Sequence, residues 1–163
     1  MHHLHLTLTT FLDFYFGFFI CYQLALAFIE RSPSLKRTLL PVLIISVIAY
    51  ISKIRLEASA PVHTVVVVII CAGVLWLFNP VNFLLSLIGS LLTFITLTLG
   101  SIVMACPFFV KLGYAIPSKL TGYSWMLLDL LELALPTLVL IILKISKFSL
   151  LKCLQNYTIK TKL

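Results

Sequence analysis

Asp129, Glu132 and Pro136 stand at spacings of three, four and seven in the run LLDLLELALPTLVLIIL. On a helix those spacings set the three residues along one stripe. A charge in hydrocarbon costs at least a few kcal/mol, so acids in such a run face a bundle interior or a wet cavity. Pro136 has no N–H to offer the Glu132 carbonyl, and its ring crowds that carbonyl. An acid side chain and a freed backbone acceptor are therefore expected side by side. Two chemistries fit that pair. It can hold a neighbouring helix and fix its packing, or it can bind a ligand or ion.

Three further polar groups stand in apolar surroundings. Asp13 lies inside the first apolar run, His63 opens the third, and Lys111 follows the fourth. With Asp129 and Glu132 they would line a pocket open at one end of a bundle. The alternative for each is separate pairing with a backbone carbonyl or a neighbouring helix, and for His63 a place at the membrane boundary. Asp129, Glu132, Asp13 and His63 are the candidate ligand-binding residues, and Pro136 is the expected kink.

Catalytic and metal motifs are missing from the sequence. It has no HExxH, no GxSxG and no phosphate-binding glycine loop. Cys21, Cys71, Cys106 and Cys153 show no CxxC or metal-ligand spacing, and Cys in apolar runs acts as a small hydrophobe. Free thiols are expected, with no metal, no cofactor and no enzymatic activity. Pairing of His63 with Cys106 as a membrane protease has no spacing to support it. His2, His3 and His5 fit a weak metal site less well than a mobile terminus.

The elements that must position these residues belong to lipid. Of 163 residues 61% are hydrophobic and 10% charged, and the mean hydropathy is +1.15. A soluble domain carries about 25% charged residues. The net charge of +7 lies between and after the apolar runs, as a topology signal does, and does not form a nucleic-acid-binding face. The expected fold is all-α: a polytopic transmembrane helix bundle over residues 1–143, with five spans at about 6–29, 39–54, 62–78, 83–106 and 125–143. The second span is short for a bilayer, with Pro41 near its first turn. VVVVII in the third would suggest a strand in water, but in lipid an isolated strand leaves its backbone unpaired. Asn79-Pro80-Val81-Asn82 is a tight hairpin turn, and Pro107 stands at the end of the fourth span. Ala25-Leu26-Ala27 resembles a signal-peptidase site. No Lys or Arg precedes the run, however, so an uncleaved helix is expected.

With five spans, Arg31, Lys36, Arg37, Lys144, Lys147, Lys152, Lys160 and Lys162 share one side, against Lys53, Arg55, Lys111 and Lys119 on the other. The positive-inside bias then puts the N-terminus outside and the C-terminus in the cytoplasm. Tyr50, Tyr114, Tyr123 and Trp125 fall at the outer boundary and Trp76 near the inner one. Small residues on the first helix (Gly17, Cys21, Ala25) and the fourth (Ser86, Gly89, Ser90, Thr93, Thr96, Gly100, Ser101) read as packing surfaces. Residues 144–163 form a basic amphipathic tail suited to the anionic inner leaflet.

The order of these features resembles the N-terminal membrane domain of GHKL-type sensor histidine kinases of the accessory-gene-regulator receptor kind, from Gram-positive bacteria. The resemblance covers about residues 10–152. It rests on Ser34-Leu35-Lys36-Arg37, Tyr50 and Arg55, Pro61-Val62-His63, Cys106-Pro107-Phe108-Phe109 with Gly113, LLDLLELALP, and the exit Lys147-Phe148-Ser149-Leu150. It implies a bacterial cell-membrane receptor for an extracellular peptide or small molecule, passing its signal to the cytoplasm. The sequence departs from the family after the fifth helix, where about twenty residues carry no acceptor His and no ATP-binding motif. The expectation is a sensor-like module without catalysis that acts through a cytoplasmic partner or as a homo-oligomer, with no nucleic acid bound. The alternatives are a small transport component binding a cation or solute near Asp129 and Glu132, and a scaffold whose acids only fix packing.

Overall fold

The computed structural model describes residues 2–29, 35–52, 60–111 and 123–146, with backbone alone for 2–10, 35–36, 60–61, 109 and 123–128. The expected tail beyond Ser146, the loop cations Arg31, Lys53, Arg55 and Lys119, Tyr114, Gly113, Cys153 and the side chains of His2, His3, His5, Tyr123 and Trp125 lie outside the described residues. Among those described, the regular structure is all helical. It comprises α1 (His2–Phe28), α2 (Leu35–Tyr50), α3 (Ala60–Phe78), α4 (Phe83–Gly100), a π turn (Ser101–Ala105), α5 (Cys106–Lys111) and α6 (Tyr123–Ser146). The π turn joins α4 to α5 without a break, so the chain makes five rods. Helix α1 touches α2, α3, α4 and α6, while the contacts α2–α3, α3–α4 and α4–α6 form an arc around it.

Three boundaries differ from the sequence expectation, each for a backbone reason. Helix α1 begins at His2 and not near residue 6, since no Gly or Pro interrupts that stretch. Helix α2 begins at Leu35, which puts Pro41 inside the helix and not in its first turn; the fully buried ring packs in the bundle, where neighbouring helices offset the lost hydrogen bond. The fourth rod does not stop at Pro107. The Cys106 N–H reaches back to the Ser101 carbonyl, and this wider π spacing makes room for a proline ring that a regular α-turn would press into the carbonyl four residues back.

The hairpin between α3 and α4 is built by its asparagines. The Asn79 N–H closes α3 on the Leu75 carbonyl at 3.1 Å, and the Val81 N–H turns back to the Asn79 carbonyl at 2.8 Å. Asn82 caps α4, its Oδ1 accepting the Leu85 N–H at 2.8 Å. Asn79 Nδ2 donates to Tyr22 Oη at 3.0 Å, tying the turn to α1. The main apolar core lies toward this end, where Tyr22, Leu26 and Ile29 pack with Val42, Ile45, Cys71 and Leu75.

Polarity is distributed inside out. Ser46, Ser86, Ser90 and Thr93 are wholly buried, whereas Ile145 is 78% exposed, Leu77 71% and Val110 69%. Two interior hydroxyls bond within their own helix, Ser46 donating to the Val42 carbonyl at 2.8 Å and Thr93 to the Gly89 carbonyl at 2.9 Å, whereas the buried Ser90 Oγ has no hydrogen-bond partner among the described residues. On the bundle surface Thr98 donates to the Phe94 carbonyl at 2.9 Å. Such back-bonding one turn down satisfies a hydroxyl without water. Small residues bring backbones together, as the sequence suggested. A Cβ on Gly89 would lie 3.1 Å from Ile29 Cγ2 and 3.2 Å from the Ala25 carbonyl oxygen. Two stretches, Phe11–Phe28 and Phe83–Phe108, are long and apolar enough to cross a membrane, and Arg37–Tyr50 and Val62–Phe78 are shorter apolar helices.

Candidate functional site

Helices α1 and α6 run in the same direction and meet in register. Gly17 faces Leu133, with Leu133 Cδ1 at 3.8 Å from where a Cβ would sit. One turn up the same faces, Asp13 of α1 and Asp129 of α6 come within electrostatic reach of each other, and Asp129 also feels Glu132 on its own helix. Glu132 then turns toward α4, where its Oε1 accepts the Ser101 hydroxyl at 2.9 Å. Three of the four candidate residues thus share one region, in the half of the bundle away from the α3–α4 turn.

The backbone beneath the acids is as specific as the acids themselves. Pro136 is fully buried and leaves the Glu132 carbonyl without its helical donor. Gly100 is seated directly against that carbonyl, with Leu135 Cβ and Pro136 Cδ each 3.3 Å from the position of an added Cβ. Only glycine allows this approach, which sets its Cα–H groups against the freed oxygen. One residue on, Ser101 takes the carboxylate and begins the π turn. A turn below, Thr137 Oγ1 donates to the Leu133 carbonyl at 2.7 Å, satisfying its own hydroxyl within the helix. Glu132 therefore grips α4 twice, through its side chain and through its backbone.

His63 does not join this group. It sits on α3 against another flank of α1, with Nδ1 2.8 Å from Ser52 Oγ and its ring edge-on to Phe14 at 6.4 Å. Ser52 gives its hydroxyl proton to the Ala49 carbonyl at 2.9 Å, so the contact is read as His63 Nδ1–H donating to Ser52. Phe14 and Phe11 both meet Tyr50 edge-on, at 6.4 and 6.0 Å, making an aromatic seam between α1 and α2. Lys111 lies exposed at the end of α5. Cys21 and Cys71 are buried free thiols, and Cys106 is free and exposed. Among the described residues no group of three or more His, Cys, Asp or Glu could hold a metal ion.

Several of the residues that organise the region were not singled out from sequence as site residues. Ser101 and Gly100 were visible only as members of a small-residue stripe. Their alignment with Glu132 depends on the rotation of α4 against α6, which no local pattern encodes. Ser52 carried no sequence signal at all. The buried contact of Gln23 Nε2 with Thr38 Oγ1 at 3.1 Å could have been suspected from one amide inside an apolar run.

Comparison with protein-family models, curated proteins and solved structures finds no match to this chain.

Proposed function

We propose that the chain is an integral membrane protein of five spans, N-terminus outside and C-terminus cytoplasmic, acting as a non-catalytic sensor or receptor-like module. The rods support a bilayer setting by length: at 1.5 Å per residue α2 measures about 24 Å and α3 about 28 Å, the others more, against a hydrocarbon core of about 30 Å. Exposed Leu, Ile and Val outside and self-bonded hydroxyls inside belong to the same setting.

The observation that carries the sensor reading is the double grip of Glu132 on α4, by the Ser101 hydroxyl and by the Gly100 backbone. Asp13 and Asp129 stand next to it, so an extracellular ligand with a basic group would meet three carboxylates at once. Any change in how Glu132 is held is passed to the π turn on one side and along α6 toward Lys144 on the other. π turns inside long helices often mark such functional positions. A cytoplasmic partner or a second copy would read the movement at the end of α6. This is the division of labour that the resemblance to accessory-gene-regulator receptors suggests.

Transport is the second reading, favoured by the proline inside α6 beside the acids. Against it, the carbonyl that Pro136 frees is covered by Gly100.

Proteoliposomes and spin labels separate the two. The full chain should pass no proton or sodium current under an imposed gradient. Nitroxides at the exposed positions Val103 and Leu138, in a cysteine-substituted background, should report a change of about 1–2 Å between α4 and α6 in Ser101→Ala and Glu132→Leu. Leu131→Ala should leave the distance alone. A cation flux abolished by Asp129→Asn would replace the sensor by a transporter, and unmoved labels would leave only a scaffold.

A further inference from the structure

Where α2 starts and α3 ends, Arg37, Leu40, Pro41 and Phe78 enclose a pocket of about 350 Å³. It lies at the opposite end of the bundle from the acids. Arg37 is exposed at its rim and makes no ion pair among the described residues. The other walls are apolar, and the surface around them stays apolar: Leu39, Leu77 and Phe83 are all exposed. Trp76 is half exposed there and packs edge-on to Phe83 at 6.1 Å, as an indole at a headgroup boundary does.

We infer that this pocket binds the phosphate headgroup of an anionic phospholipid from the cytoplasmic leaflet. The assignment rests on the five-span, N-out reading, which puts this end of the bundle on the inner face. A guanidinium with no acid partner among the described residues is a strong donor for phosphate oxygens, with a fork geometry suited to two of them. The volume takes a headgroup, while the exposed leucines and phenylalanines beside it offer a path for acyl chains. Pro41 adds a second feature: it has no N–H for the Arg37 carbonyl. That carbonyl can accept a hydroxyl from a glycerol headgroup whose phosphate is on the Arg37 side chain. Anionic inner-leaflet lipid is also what basic pockets between helices on this side select. A soluble phosphate ester shares the headgroup chemistry but gains nothing from the apolar surface, so the lipid is the expected occupant.

The full chain in detergent and in nanodiscs provides the test, with phosphatidylglycerol, phosphatidylcholine and soluble glycerol phosphate as probes. Bound phosphatidylglycerol should survive delipidation and be visible by native mass spectrometry. Arg37→Gln should weaken it about tenfold or more, the size of losing one charged hydrogen bond. Arg37→Lys should keep part of the affinity, and Phe78→Ala, which leaves the charge intact, should weaken it by opening the wall. Lys144→Gln, a cation outside the pocket, should have little effect. Equal losses in Arg37→Gln and Lys144→Gln would reduce the effect to general surface charge and overturn the pocket. Equal binding of glycerol phosphate would overturn the lipid assignment. Should the chain prove soluble without detergent, the five-span reading itself falls. Should it need detergent while Arg37→Gln binds like the unmodified protein, only the pocket falls.

Discussion

At the scale of single residues, glycine gives the sharpest contrast. Gly100 lies under the Glu132 carbonyl with no space for a methyl group, whereas a Cβ on Gly73 meets nothing within 4 Å. Gly100→Ala should therefore push α4 off α6 and cost about 1–3 kcal/mol, the usual range for overpacking a filled interior. Gly73→Ala should be neutral or slightly stabilising through helix propensity. Unfolding of the two variants in mixed micelles measures the difference, and equal stability would mean that the α4–α6 contact is looser than described. The acids and Pro136 were legible in sequence because hydrocarbon makes an acid conspicuous and a proline needs a reason. Their partner was not legible: Ser101 is one of many hydroxylated residues on its helix, and only its facing Glu132 at 2.9 Å sets it apart.

At the scale of elements, the two interior prolines of the Glu132 region act on facing rods. Pro107 follows a π turn in the fourth rod, and Pro136 frees a carbonyl in α6 that the fourth rod then covers. Pro136→Ala restores a donor to Glu132 within α6. The restored N–H should then draw the Glu132 carbonyl back into α6 and release Gly100, even as the hydrogen bonding of the helix improves. The expected outcome is a longer α4–α6 distance between labels at Val103 and Leu138, with little loss of helical circular dichroism. An unchanged distance would show that packing around Leu135, not the proline, holds Gly100 against the Glu132 carbonyl. The rods themselves were readable from apolar runs, but two features were not. Pro107 reads as a terminator under local rules, and Pro41 reads as a first-turn residue. In each case the chain continues as helix around the proline, by π spacing at one and within the packed bundle at the other.

At the scale of the whole molecule, the expected topology puts residues 30–34 and the C-terminus on the same, cytoplasmic side, because eight of the twelve Lys and Arg residues fall there. Reporter fusions at both positions should show cytoplasmic activity only. Opposite results would mean that α2, the shortest of the five rods, lies along the interface and does not cross. With both fusions cytoplasmic, the acids would lie at the outer end and the Arg37 pocket at the inner one, so ligand and lipid would act on opposite ends of one bundle.

Composition and the length of the hydrophobic runs alone led to the expectation of helices suited to lipid, since in hydrocarbon only helices and closed barrels satisfy the backbone and these runs are too long for barrel strands. The acids and Pro136 were likewise conspicuous as a stripe, because helical periodicity is local and hydrocarbon penalises every charge. Which groups meet was decided only by the tertiary structure. Asp13 faces α6 while its neighbour Phe14 faces Tyr50 and His63, a difference of one residue that sends two candidates to different flanks. Helix rotation is set by the summed packing of small and large side chains across several interfaces. That sum is carried by no single segment of the sequence.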